Sequence, residues 1–135
     1  NEQLLKTLFN NLPINLFVKD KEFRKIMANK NECDFYGAKS QKEILGKNNF
    51  ELMKHEDAII SERDDIYVKN SLKPILDKEV TRKNKDGSKT TLIVTKIPIV
   101  DSGEFKGIIG FSLDISKIKK QLLEFRTFFL FGSSI

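Results

Sequence analysis

Three β-rich runs separated by two glycine turns constrain this chain most. Ile75 to Arg82, Lys89 to Val100 and Phe105 to Ile115 are dense in β-branched and apolar residues, and Lys85-Asp86-Gly87 and Ser102-Gly103 stand between them. Such spacing predicts an antiparallel meander. Upstream, Ile14 to Lys19 and Phe23 to Ala28 flank the polar turn Asp20-Lys21-Glu22, so a hairpin is expected there as well. A fold in the α+β class follows, with five strands.

The segments outside the strands read as helices. Leu4, Leu5, Leu8, Phe9 and Leu12 recur at three- and four-residue steps and stop at Pro13, which forbids continuation. Residues 29 to 54 have helical composition broken by Gly37 and Gly46, predicting several short helices, one of them around Cys33 to Tyr36. Ser40 and Glu43 have the spacing of a capping box. A longer helix is expected from Glu56 to Leu72, with Ile59, Ile60, Ile66 and Tyr67 on its apolar stripe and Pro74 closing it. After Asp114, Ile115, Ile118, Leu122, Phe125 and Phe129 alternate steps of three and four, the seam of a short coiled coil.

Composition narrows the class. The 135 residues, 39% hydrophobic and 32% charged, suit one globular domain with terminal extensions. No apolar run approaches the ~18 residues that span a bilayer, and the opening Asn1-Glu2-Gln3 has no signal-peptide pattern. The expectation is a cytoplasmic fragment of a longer protein. One cysteine and one histidine are too few for a disulfide scaffold or a zinc cage. The net charge of +5 comes from 24 Lys and Arg interspersed with 19 Asp and Glu, and Lys83, Lys85 and Lys89 cluster only at a hairpin tip. No nucleic-acid partner is expected. Cys33 and His55 fall on separate short elements, and Gly107-Ile108-Ile109-Gly110 lies within a strand with no Lys-Ser/Thr after it, so neither nucleophilic catalysis nor phosphate cradling is expected.

Several stretches resemble the PAS domain. These are Leu12-Pro13-Ile14 into Phe17-Val18-Lys19-Asp20, Ala28-Asn29-Lys30, Phe35-Tyr36-Gly37, Gly46-Lys47-Asn48-Asn49-Phe50, Lys96-Ile97-Pro98-Ile99, Gly103, and Asp114-Ile115-Ser116 in place of the closing Asp-Ile-Thr. The resemblance covers residues 3 to 120. It implies a five-stranded antiparallel sheet with short helices over one face and a small internal cavity. It also implies a sensory role upstream of a histidine kinase or a cyclic-dinucleotide enzyme, in a phosphorelay or two-component system, with the exit helix carrying the signal. The boundaries expected are an N-terminal flanking helix over 1–13, the sensor over 14–116, and a signalling helix and tail over 117–135.

The resemblance also frames what the cavity could hold. Light-sensing relatives carry a cysteine where this chain has Asn49, which cannot form a flavin adduct, and Cys33 lies on an earlier helix as a small hydrophobe. Haem-binding relatives use a histidine on the longer helix, whereas His55 precedes it beside Glu56 and Asp57, in a segment expected to face solvent. Neither cofactor is expected and the ligand is unidentified. By resemblance, Leu92, Val94 and Lys96, with Ile108, Gly110 and Ser112, look into the cavity.

Lys96 is the anomaly, because an inward lysine costs several kcal/mol unless paired. Asp64 and Glu79 are its candidate partners. Two readings stay open. In one, Lys96 makes a structural ion pair in a filled interior, and the domain is a dimerisation or relay module. In the other, Lys96, Ser112 and Asn49, with Leu92, Val94, Met53, Asp64 and Tyr67, bind a small anionic or polar metabolite. Ile109, Phe111 and Leu113 make the opposite face apolar too, so a cover is expected from Leu4, Leu5, Leu8 and Phe9, in the same chain or in a homodimer.

Overall fold

The computed structural model describes residues 1–84 and 86–132, apart from the side chain of Lys117. Lys85, expected in a turn, and residues 133–135, expected in the tail, lie outside the described residues. The elements run α1 (Glu2–Asn11), β1 (Asn15–Lys19), β2 (Lys25–Ala28), α2 (Lys30–Phe35), a 3-10 turn at Gln41–Glu43, α3 (Asn49–Leu52) and α4 (His55–Ser71). They continue with β3 (Ile75–Lys83), β4 (Lys89–Asp101), β5 (Glu104–Asp114) and α5 (Ser116–Phe131). The strands form one antiparallel sheet in the order β2-β1-β5-β4-β3, so the two hairpins meet where β1 pairs with β5.

Local chemistry explains most boundaries. Ser102 and Gly103 both have positive φ, 53° and 77°, as a two-residue hairpin turn matched to strand twist requires. Pro98 is tolerated within β4 because pairing with β3 ends at Lys96, leaving no partner there for the missing N–H. α4 stops at Leu72, whose left-handed conformation (φ 56°) closes the helix before Pro74.

Two sequence expectations are corrected. Ser40 makes no side-chain capping bond; the capping box is at Asn48 and Glu51, where both reciprocal bonds form at the start of α3. Glu43 instead accepts from the Lys39 amide. The second concerns the buried stripe of α4. Ile60, Ile66 and Tyr67 are 38, 44 and 49% exposed, while Ala58, Ser61, Asp65 and Val68 are the buried residues. These too follow the three- and four-residue spacing of one helix face. They are small or polar because the sheet surface below them carries charge.

Candidate functional site

The inner sheet face is set by register. Phe17 lies opposite Gly110, Asn15 opposite Ser112 and Lys19 opposite Ile108. Val94 lies opposite Ser112 and Lys96 opposite Gly110. Gly110 has a steric reason, since a Cβ there would come within 2.3 Å of the Phe17 ring. At Gly107 it would stand 2.2 Å from the Lys19 carbonyl oxygen. The Gly-Ile-Ile-Gly stretch thus lets β5 and β1 approach closely.

Beneath the helices this face carries three lysines with almost no exposure: Lys19 and Lys25 at 1% and Lys96 at 3%. Asp65 of α4, fully buried, joins two of them. Its Oδ2 accepts from Lys19 Nζ at 2.7 Å and its Oδ1 from Lys96 Nζ at 2.8 Å. Lys96 also donates to the Ser61 carbonyl at 3.1 Å and to Ser61 Oγ at 3.0 Å, so each of its three N–H groups has an acceptor. Asn49 completes the network: its Oδ1 accepts from Lys19 at 2.8 Å and from Ser61 Oγ at 3.1 Å, and its Nδ2 donates to Asp65 and to Glu62, each at 2.9 Å. Lys25 pairs separately with Glu32, over the rings of Tyr36 and Phe17 at 4.4 and 4.8 Å.

This crowding sets the titration behaviour. Burial, and then the charge of Lys96, push the Lys19 ammonium down to about 7, against the pull of Asp65. Burial alone would raise Asp65, but Lys19 and Lys96 outweigh it and hold the carboxyl below its usual range. Burial would likewise lower Lys25, and Tyr36 and Glu32 together reverse it. Cys33 is buried with its thiol pushed up, chiefly by burial and then by Glu32, which makes it a poor nucleophile.

The three lysines border a cavity of about 20 Å3, lined also by Phe17, Met53, Ser61, Leu92, Val94 and Ser112. That is room for one water-sized group. Phe35, Tyr36, Met53 and Arg82 also line an outer cleft of about 300 Å3, shared with Leu52, Lys54, Asp57 and Asp114. Arg82 thus stands on the wall between the two. Its guanidinium lies 5.4 Å from the Phe35 ring centroid, and its buried Nε has no acceptor among the described residues. An unmet buried donor costs about 1–3 kcal/mol.

Against the sequence reading, Lys96, Ser112, Leu92, Val94 and Met53 surround the cavity, and Asn49 adjoins it through Lys19. Tyr67 does not, and Asp64 lines instead an adjoining space of about 20 Å3 with Ser61, Arg82, Val94 and Lys96. Tyr67 points outward, and Asp64 pairs with Lys78 at 2.8 Å. The partner of Lys96 is Asp65, one residue and about 100° round the helix from the expected Asp64. Glu79 pairs with Lys119 of α5 at 2.5 Å. Lys19, Lys25, Asp65 and Arg82 were not anticipated. The signal for Lys19 was strand alternation from Phe17, and for Arg82 alternation from Lys78 and Val80; Asp65 needed the true stripe of α4. His55 is exposed and lies against Phe50, outside the cavity. Among the described residues no cluster could hold a metal ion.

Comparison with known proteins bears on this arrangement. A family model described as the PAS fold matches residues 9–119. A structure of VqmA bound to DPO is 28% identical, with TM-score 0.71, covering 84% of this chain and 56% of that one. The Vibrio cholerae VqmA dimer, solved in the absence of its target DNA, is 27% identical with TM-score 0.73, covering 87% and 52%. The chain therefore spans about half the length of these VqmA chains. The PAS domain of Bordetella pertussis BvgS shares the fold at 23% identity and TM-score 0.66, over 93% and 92%. No curated protein sequence matches the chain.

Proposed function

The chain belongs to the PAS family, and from that premise we propose that it is a sensory domain taking a small polar or anionic molecule between its inner sheet face and α2–α4. One observation carries this reading: four cationic side chains, Lys19, Lys25, Lys96 and Arg82, line a cavity whose one lining carboxylate among the described residues is Glu32, with Asp65 behind Lys19 and Lys96. Protein interiors rarely bury cations in excess of anions without a use for them. The 28% identity to a VqmA structure holding a bound ligand supports it. Ser112, Asn49, Leu92, Val94 and Met53 would supply contacts, with Lys96 acting through its hold on Asp65.

The signal would leave through α5, tied to the sheet by the Lys119–Glu79 pair and by the Ile115 amide donating to the Thr91 carbonyl at 2.9 Å. A homodimer through α1, α5 and the outer sheet face, a downstream effector such as a histidine kinase or cyclic-dinucleotide enzyme, and a cytoplasmic setting complete the proposal. No described helix is long and apolar enough to cross a membrane.

The size of the cavity favours a second reading, a relay and dimerisation module with a filled interior. A volume of about 20 Å3 admits a metabolite only if Phe35, Tyr36, Met53 or Arg82 moves. Native mass spectra of the purified chain, recorded beside denaturing spectra, separate the two. Added mass per protomer that is lost on denaturation is expected for the sensor. A dimer that carries no added mass, and gains none in the presence of metabolite extract, supports the relay.

A further inference from the structure

We propose that Arg82 is the ligand-recognition residue of this domain and that its ligand is a small monocarboxylic acid with an aromatic or branched apolar body. The inference rests on the sensor reading and specifies its chemistry. Lys96 spends all three N–H groups on Asp65 and Ser61, Lys19 spends two on Asp65 and Asn49, and Lys25 is held by Glu32. The lysines thus build the floor, with little hydrogen-bonding capacity left for a guest.

Arg82 differs. It makes no ion pair among the described residues, and its Nε is buried without an acceptor. The carboxylates nearest by position are occupied or apart: Glu32 is on Lys25, Asp64 is on Lys78, and Asp57 and Asp114 line the cleft beyond ion-pair distance. A guanidinium has five donors in a planar fork that matches one carboxylate. The guanidinium carbon lies 5.4 Å from the Phe35 ring centroid, at the junction of cleft and cavity.

The surroundings define the rest of the ligand. Phe35, Tyr36, Leu52 and Met53 give the cleft an apolar wall, and about 300 Å3 lies at the small end of ligand pockets. A carboxylate on Arg82 would thus place an apolar body against that wall.

The test uses the full chain with benzoate, phenylacetate and isovalerate as probes beside their uncharged amides, titrated by ligand-observed NMR and thermal shift. At least one acid is expected to bind wild type while its amide does not. Binding is expected to weaken at least tenfold in Arg82→Gln and to recover only in part in Arg82→Lys, which keeps the charge without the fork. Far-UV circular dichroism checks folding, and should Arg82→Gln unfold, Arg82→Lys carries the comparison. Equal binding by wild type and the variants, or equal binding of acid and amide, overturns the assignment. A co-purified ligand that is not an acid and is held equally by Arg82→Gln would sink the role of Arg82 and leave the sensor reading standing. No binding by any probe would remove the acid assignment, and if no mass is gained from metabolite extract either, the sensor reading falls with it.

Discussion

The two faces of the sheet invert the usual distribution of polarity. The inner face, under α4, buries Lys19, Lys25 and Lys96 beside Phe17, Leu92 and Ile108. The outer face carries Met27, Ile97, Ile109 and Leu113, exposed by 45, 38, 39 and 38%. An isolated domain minimising its free energy in water would exchange them. The difference teaches that the sheet uses its interior for compensated charge and leaves apolar side chains at its outer surface. The inner face holds charge shared between Asp65 and its two lysines, and the outer face leaves apolar side chains partly exposed.

The largest expected effect tests the inner face. Asp65→Ala leaves Lys19 and Lys96 buried without their shared counter-charge, and breaking a buried pair in this way costs about 3–5 kcal/mol. Urea unfolding should show the midpoint falling sharply at pH 7. A loss below about 1 kcal/mol would mean that water reaches the network, and the contrast between the faces would fail.

Much of the inner face was legible in the sequence because strands alternate with period two. Leu92, Val94, Lys96, Ile108, Gly110 and Ser112 fall on it as that period requires, and the three β-runs sit where their glycine turns put them. What escaped was the partner side. The large apolar residues of α4 place Ile60, Ile66 and Tyr67 on the expected buried stripe, whereas the residue that is buried there is Asp65. Hydrophobic periodicity finds a helix face only when the surface opposite is apolar. Here a buried lysine surface selects small and acidic residues instead, and that selection shows only once sheet and helix are placed together. The reach from β1 to α4, Lys19 to Asp65, spans 46 positions and has no local signature.

A smaller effect distinguishes Lys19 from Asp65. Lys19→Met removes one of two cations sharing a carboxylate that keeps Lys96 and Asn49, so stability at pH 7 should change by less than about 1 kcal/mol or rise. Its pH dependence is the sharper readout. Lys19 titrates near 7 in the fold and near 10.5 in the unfolded chain, so between these values the unfolded state binds more protons and stability rises with pH. The penalty is complete below about pH 7 and relieved on the way to 10.5. Opposing contributions lie outside that window: Lys25, raised above 10.5, stabilises the fold until the pH passes its folded value, and Asp65, lowered below 3.8, until the pH falls that far. Unfolding free energies at pH 6.5, 8 and 9.5 should climb for wild type and flatten in Lys19→Met. The same slope in both proteins would take Lys19 out of the network's energetics.

The outer face is tested by association, and its effect on the stability of the single chain is the least informative readout. α1 lies beside α2, held by the Asn29 amide donating to the Phe9 carbonyl at 3.0 Å, and its Leu4, Leu5 and Leu8 stay 58, 65 and 51% exposed. Within one chain, then, the outer strands keep their apolar surface open. Ile97 and Ile109 pair across β4 and β5 at the centre of that surface. They are 38 and 39% exposed and so mostly buried already; replacing both with Thr, which keeps the β-branched shape, should lower the unfolding free energy of the monomer by about 1–2 kcal/mol. Were the face an interface between copies, the same change would leave two unfavourable contacts per dimer, and sedimentation velocity should show a shift from dimer to monomer at micromolar concentration. A dimer of unchanged affinity would confine self-association to the α1 and α5 helices. A loss of monomer stability above about 4 kcal/mol would show that the outer face is already covered, and that the polarity of the two faces is not inverted after all.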